Sequence, residues 1–271
     1  MKQTLQDILL VSDLDGTLIG KNFLVPQRNF DAIERFKQKG GHFAIATGRT
    51  IDSAEIYVDL AKPNTPSVIL NGVMVYDYQN QKPLWEHPLP AVAAEYIKDM
   101  STRFPYMGVE ICTEVAINIV SCNKYVEQHV SHEHIKSMRR PLDFVEGTWY
   151  KAFFAMESDL LVRVKEYVDS IPHPGVRFVR SSDNYLEMLP EGIDKGVALK
   201  KLMEIMGFSL KNTYAIGDYY NDIELLAAAG VSVCPDNAPG DIKSRADLVV
   251  CHCHDGAVAD LIEYIEKKVE G

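Results

Sequence analysis

Ile8-Leu9-Leu10-Val11-Ser12-Asp13-Leu14-Asp15-Gly16-Thr17 is the stretch on which the reading of this chain turns. Its continuous apolar run fits a strand buried on both faces, the kind found in parallel sheets. The run ends in Asp13 and Asp15, two residues apart, so both acids can face one cleft where the strand stops. Gly16 then lets the chain turn away sharply. Alone, Asp-x-Asp-Gly-Thr could equally be an ordinary turn, because Asp and Gly are turn formers.

The segments that follow favour a strand end. Pro26 suits the first turn of a helix with Phe30, Ile33 and Phe36 on one face, ended by Gly40-Gly41. A second strand is predicted over 42–47, a second helix over 50–61 and a third strand over 67–70, with a turn at Asn71-Gly72. This order predicts a parallel sheet with helices on both faces. From about Pro83 the rhythm changes. Amphipathic stretches at 90–104, 123–135 and 158–171 are separated by strand-like runs at 115–120, 149–156, 176–179 and 185–189. After the turn Pro190-Glu191-Gly192 the first rhythm resumes, with helices at 195–206, 220–229 and 256–268 and strands at 212–217, 231–234 and 247–250. Gly207 should close the first of these helices. The expected fold class is α/β: a Rossmann-like, doubly wound parallel-sheet core formed by residues 1–82 and 190–271. Residues 83–189 form an inserted α+β domain.

Composition narrows the function classes. Apolar residues make up 46% and charged residues 24% of the 271, an ordinary globular balance. The net charge of −10 argues against a general polyanion binder, so no nucleic-acid partner is expected. A small anionic substrate stays open, since a local cation can override the net charge. No stretch approaches the roughly 20 apolar residues of a membrane span, and the opening residues lack the pattern of a secretory signal. A cytoplasmic monomer or small homo-oligomer is the default expectation. The odd set Cys112, Cys122, Cys234, Cys251 and Cys253 reads as reduced thiols. Cys251-His252-Cys253-His254 has metal-ligand residue types. On an extended segment, however, alternate residues point to opposite faces, and these neighbours would not close one tetrahedral site. His129, His132 and His134 read as a solvated helix face.

Ligands of open parallel sheets bind beyond the carboxyl ends of the strands. Three predicted strands end in polar clusters: Asp13 to Thr17, Thr47-Gly48-Arg49, and Gly217-Asp218-Tyr219-Tyr220-Asn221-Asp222. Lys195 opens the helix after the insert. Asp222, four residues beyond Asp218, should share a helical face with it. Converging carboxylates repel and raise each other's pKa unless a hard cation sits among them, and an all-oxygen set points to Mg2+. Thr47, Lys195 and N–H groups near Gly16 and Gly48 could hold phosphate oxygens completing such a shell. Each motif alone has a plain reading: a turn, a helix start, a surface lysine, a helix cap. Their joint placement at strand ends and a helix start is what is specific.

With these motifs the sequence resembles the haloacid dehalogenase superfamily, and within it the Cof-type, sugar-phosphatase-like hydrolases with a type IIB cap. Asp13-Leu14-Asp15-Gly16-Thr17 matches the first family motif, Thr47 the second, Lys195 the third and Gly217-Asp218-x-x-Asn221-Asp222 the fourth. Asn71-Gly72 matches the turn after the third strand, and the insert matches the cap by position. The resemblance implies a Mg2+-dependent phosphatase acting on a small phosphorylated metabolite. Asp13 would be the nucleophile and form an aspartyl-phosphate, and Asp15 the acid and base. Asp13, the Asp15 backbone carbonyl, Asp218 and Asp222 would hold the metal. Thr47, Gly48, Lys195, Asn71 and Asn221 would bind or orient the phosphate. The cap would choose the leaving group, with Trp149, Tyr150, Tyr185 and Arg180 as candidate contacts, although strand aromatics are more often packing. Three alternatives stand beside this: a phosphomutase or phosphotransferase of the same superfamily, a receiver-like phospho-acceptor switch, and a catalytically idle binding protein. Asp15 argues against the switch, because it would speed hydrolysis of the phosphorylated state.

Overall fold

The computed structural model describes residues 4–20, 23–132 and 136–270. After a 3₁₀ turn at Leu5–Asp7 come β1 (Leu9–Ser12), α1 (Gln27–Gln38), β2 (His42–Ile45), α2 (Ile51–Ala61), β3 (Ser67–Ile69), β4 (Met74–Asp77) and β5 (Lys82–Glu86). The chain continues through α3 (Ala93–Arg103), β6 (Gly108–Thr113), β7 (Ile117–Ser121), α4 (Lys124–His132), β8 (Ser137–Arg139), β9 (Trp149–Ala155), α5 (Ser158–Ser170), β10 (Val176–Arg180) and β11 (Tyr185–Pro190). It finishes with α6 (Lys195–Met206), β12 (Thr213–Ile216), α7 (Ile223–Ala228), β13 (Val231–Pro235), α8 (Gly240–Lys243), β14 (Leu248–Val250) and α9 (Ala257–Glu270). These form two compact units, one of Met1–Arg49, Ala54–Trp85 and Asp194–Gly271, the other of Thr50–Ser53 and Glu86–Ile193.

In the first unit, five parallel strands lie in the order β14-β13-β12-β1-β2. Alternate residues serve opposite faces. Leu10, Phe43, Ile45, Tyr214 and Ile216 pack with Ile33 and Phe36 of α1 and Leu261, Ile262 and Ile265 of α9. Leu9, Val11, Ala44 and Ala215 pack with Leu199 and Leu202 of α6 and Leu225 of α7. Apolar cover on both faces is why the strand sequences are continuously apolar rather than alternating.

Two elements differ from their sequence reading. β3 joins the sheet edge through a single parallel bridge, Ala46 to Val68, and otherwise pairs antiparallel with β4 in the small sheet β3-β4-β5. The chain reverses there because Leu70 (φ 56°), Asn71 (φ 55°) and Gly72 (φ 97°) all have left-handed φ. The helix predicted from Tyr220 begins as a 3₁₀ turn at Tyr220–Asp222, and Asp222 lies in that turn rather than on a helical face shared with Asp218. α6 follows its reading: Asp194 caps it by accepting from Val197 N at 2.8 Å, and Gly207 closes it at φ 76°.

The second unit is a six-stranded sheet, β10-β11-β9-β6-β7-β8, antiparallel except for the β7–β8 pair. Val109, Ile111, Ala152, Phe154, Leu186 and Met188 face one way and pack with Ile97 and Met100 of α3 and Leu161, Val164 and Val168 of α5. The other face carries buried polar pairs. Lys151 Nζ meets Glu187 Oε2 at 3.1 Å, and His129 of α4 meets Glu110 Oε2 at 2.7 Å, all four residues buried. His129 is therefore not solvated as its polar helix suggests, because Glu110 gives it a buried partner. His134 lies outside the described residues. All five cysteines are free thiols.

The packing of α6 on α7 depends on Gly196, where an added Cβ would lie 2.2 Å from the Glu224 carbonyl oxygen. Gly196→Ala is expected to destabilise the protein by about 1–3 kcal/mol, the usual cost of overpacking. A fall in the urea midpoint at constant m-value checks this. An unmoved midpoint would mean the two helices part without cost.

Candidate active site

Three strand ends of the first unit supply the site. Asp13 follows β1 and stays in the ladder, its N–H donating to Ile216 O at 2.9 Å. Thr47 follows β2 and donates to Val68 O, while Asn71 N returns to Thr47 O at 3.0 Å. Gly217 and Asp218 follow β12. Gly16 is required where these meet. Its φ is +80°, and a Cβ there would lie 2.3 Å from Asp218 Oδ2.

At the centre is Lys195, the first residue of α6 and wholly buried. Its Nζ lies 2.6 Å from Asp13 Oδ1 and 2.6 Å from Asp222 Oδ1. Burial alone would lower its pKa, but the charges of Asp13 and Asp222 prevail and hold it above the ordinary lysine range. Asp13 is held well above the usual carboxylate range, by burial first and then by the charge of Asp222, against the pull of Lys195. Asp218 is pushed up to about 7, again by burial first and then by Asp222. The pocket is thus short of positive charge. Asp13, Asp218 and Asp222 bring carboxylate oxygens within 4.8 Å of one another, a donor set suited to a hard divalent cation.

The carboxylates are not equivalent. Asp222 Oδ1 is taken by Lys195, and its Oδ2 accepts from the N–H groups of Asp218 and Tyr219 at 3.1 and 3.2 Å. It fixes the turn and the lysine. Asp218 Oδ1 accepts the Thr17 hydroxyl at 3.2 Å, and its Oδ2 lies 3.4 Å from Asn237 Nδ2. Asp15 is half-exposed and gripped by Arg49, whose Nε and Nη2 each donate to one of its oxygens at 2.8 Å. This fork occupies both oxygens, so the pair must open before Asp15 can reach anything else.

The remaining candidates meet around Asn71. The side-chain amide of Asn71 lies 3.0 Å from where a Gly48 Cβ would be, an approach that glycine permits. Asn71 Oδ1 accepts from Asn221 Nδ2 at 3.1 Å, so Asn221 supports Asn71. Of the candidate contacts in the second unit, the Tyr150 hydroxyl donates to Glu86 and that of Tyr185 to Tyr125 O. Trp149 Nε1 donates to Val145 O, and Arg180 donates to Ser182 O and Asp183 O. These bonds lie within that unit and serve its packing.

Sequence reasoning missed Asn237. Its Nδ2 donates to Gly16 O at 2.8 Å, and its Oδ1 accepts from Cys253 N at 3.0 Å. It follows the fourth parallel strand, β13, in Cys234-Pro235-Asp236-Asn237. The rule that polar residues past strand ends build the site would have found it there.

Comparison with known proteins gives a consistent result. Residues 10–262 match the family described as haloacid dehalogenase-like hydrolase. The chain is 26% identical to the pyridoxal phosphate phosphatase YbhA of Escherichia coli, over 89% of this chain and 92% of that protein. It is 27% identical to the 5-amino-6-(5-phospho-D-ribitylamino)uracil phosphatase YcsE of Bacillus subtilis, over 95% and 96%. Among solved structures, a haloacid dehalogenase-like hydrolase from Bacteroides thetaiotaomicron aligns with a TM-score of 0.86 at 23% identity, covering 95% of this chain and 99% of the other. The subclass IIB sugar phosphatase BT4131 aligns with a TM-score of 0.84 at 19% identity, covering 96% and 99%. At those identities the two structures bear on the fold.

Lys195→Met should leave Asp13 and Asp222 buried without their cation. With chelator present, the expected loss of stability is about 3–5 kcal/mol by urea denaturation. A loss near zero would return Lys195 to the class of solvated helix-end lysines.

Proposed function

The chain belongs to the haloacid dehalogenase-like hydrolase family, and from that premise we propose that it is a Mg2+-dependent phosphatase that forms an aspartyl-phosphate on Asp13. The observation that carries this reading is the Asp13 carboxylate, buried at a strand end, held at 2.6 Å by Lys195 and crowded by Asp218. A carboxylate so placed is an oriented nucleophile facing an acidic pocket that needs a cation.

The residues fit magnesium, since the donors are all oxygen and three carboxylates crowd together, with burial and Asp222 raising the pKa values of Asp13 and Asp218. Asp13, Asp218 and the Asp15 carbonyl would hold the ion, with Asp222 in support behind Lys195. Bound there, the ion would keep the carboxylates ionised and neutralise charge on the phosphoryl oxygens.

In the first step an Asp13 oxygen attacks phosphorus and the ester P–O bond breaks. Asp15, freed from Arg49 and protonated from solvent, gives that proton to the leaving alkoxide. In the second step Asp15 removes a proton from water, and the resulting hydroxide attacks the same phosphorus. The Asp13–phosphorus bond breaks, inorganic phosphate leaves and the Asp13 carboxylate is restored. Lys195, Thr47 and the Gly48 N–H would hold the phosphoryl oxygens, with Asn71 and Asn221 keeping that rim in shape.

The proposed substrate is a small phosphorylated metabolite, a sugar phosphate or a phosphorylated cofactor. The curated relatives named above are phosphatases of pyridoxal phosphate and of a ribityl phosphate, which supports that size and class. Phosphate release from a panel of such compounds in Mg2+ identifies it, and silence across the panel would remove the metabolic phosphatase.

On an active substrate, Asp13→Asn should abolish turnover while the circular dichroism spectrum stays native. Retained activity would remove Asp13 as nucleophile. Asp15→Ala should slow turnover by about 100-fold or more, the usual contribution of an acid/base group. Chelation should stop the wild type and added Mg2+ restore it. An unchanged rate in chelator would dismiss the metal.

A further inference from the structure

Cys251-His252-Cys253-His254 is not extended. Residues Cys253–Asp255 form a 3₁₀ turn that begins at His252 and ends at Gly256, whose φ is 94°. The argument that neighbouring side chains point to opposite faces of a strand therefore does not apply here. The turn brings the His252 and His254 rings to 4.3 Å between centroids, and it sets Cys253 Sγ 3.5 Å from His252 Nδ1. One ligand atom from each of His252, Cys253 and His254 lies within 4.8 Å of the others.

Cys251 is outside this group. Its Sγ faces Arg28 Nη1 at 3.8 Å, and its N–H donates to Asp260 Oδ2 at 3.1 Å. Cys253 is 4% exposed, His252 half-buried and His254 exposed, so the sulfur is sheltered while one side stays open to an incoming ion. None of the three has a part in the phosphoryl chemistry proposed above.

We propose that His252, Cys253 and His254 form a second metal site, for a borderline-soft divalent ion of the zinc type, with its fourth position open. The donor chemistry selects the ion. Two imidazole nitrogens and one thiolate suit zinc and its spectroscopic substitute cobalt, and they suit magnesium poorly. Tetrahedral ligands at zinc bond lengths stand about 3.3–3.8 Å apart, so the three side chains need to draw in by about 1 Å. His252 Nδ1 now accepts the His254 N–H at 3.2 Å. It either binds the ion through Nε2 and keeps that bond, or gives the bond up.

Sulfur separates this site from the acidic pocket, where all the donors are oxygen. Co2+ titrated into the full-length protein with Mg2+ in large excess should produce a near-ultraviolet thiolate-to-cobalt absorption band that saturates at one equivalent. Cys253→Ser should abolish the band. His254→Ala, at an exposed position, should weaken Co2+ binding at least tenfold while leaving the melting temperature of the metal-free protein unchanged. Zn2+ should displace Co2+ and bleach the band. Absence of the band in wild type, its survival in Cys253→Ser, or equal affinity in His254→Ala would each overturn the site. None of these readouts depends on phosphatase turnover.

Discussion

The buried ammonium of Lys195 is the point on which the rest of the site depends. It ties Asp13, at the end of the first strand, to Asp222, in the turn after β12, at 2.6 Å each. Asp13 and Lys195 are 182 residues apart in sequence. Three charges this deeply buried are tolerable only together, since any one left alone would carry a desolvation cost of several kcal/mol. The first unit must therefore bring both ends of its interrupted chain together before the site can exist. Gly72 and Gly196 show how closely this is done. A Cβ on Gly72 would lie 2.1 Å from the Asp194 carbonyl oxygen, and one on Gly196 2.2 Å from that of Glu224. The start of α6 is wedged between β3's turn and α7, and Lys195 has nowhere else to point.

What the sequence made legible follows from this layout. Strands buried on both faces, helices with one apolar side, and Gly207 as a stop are local signals, and α6 lies where its periodicity predicts. Asp13, Lys195, Asp218 and Asp222 were legible because each stands at the boundary of a strongly patterned element. Illegible features were those set by tertiary partners. β6 holds the middle of the second unit's sheet, yet Glu110 interrupts its apolar run, and only the partner His129 explains how that acid is buried. The same pairing hides His129 on a helix whose sequence looks polar. β3 reads as another parallel strand because its residues are apolar. Its pairing was decided by three residues of left-handed φ just beyond it, Leu70, Asn71 and Gly72.

A family motif names residues but does not divide labour among them, and here the hydrogen bonds do so. Asp218 and Asp222 read as equivalent acids four residues apart. Asp222 has both oxygens committed to Lys195 and to backbone N–H groups, whereas Asp218 keeps weaker partners and a pKa near 7. One carboxylate builds the pocket and the other waits for a charge to complete it. An exposed aspartate is ionised at neutral pH without help. Asp13 is buried beside Asp222, and burial and that neighbouring charge raise its pKa against the pull of Lys195.

Arg49 adds a constraint that no motif records. It stands two residues after Thr47, its guanidinium is almost wholly buried, and it lies 5.0 Å from the centre of the Tyr57 ring. From there it grips both oxygens of the half-exposed Asp15. A bidentate guanidinium is a strong partner with fixed geometry, so the proposed acid is held out of use in this arrangement. Breaking that fork has a cost, which binding of the phosphate can meet, since a phosphoryl group is the other anion that a guanidinium fork fits. Asp15 would then be released where a phosphate ester has arrived and stay held by Arg49 where none has. On the proposed mechanism, the acid would thereby be tied to the presence of its substrate by charge.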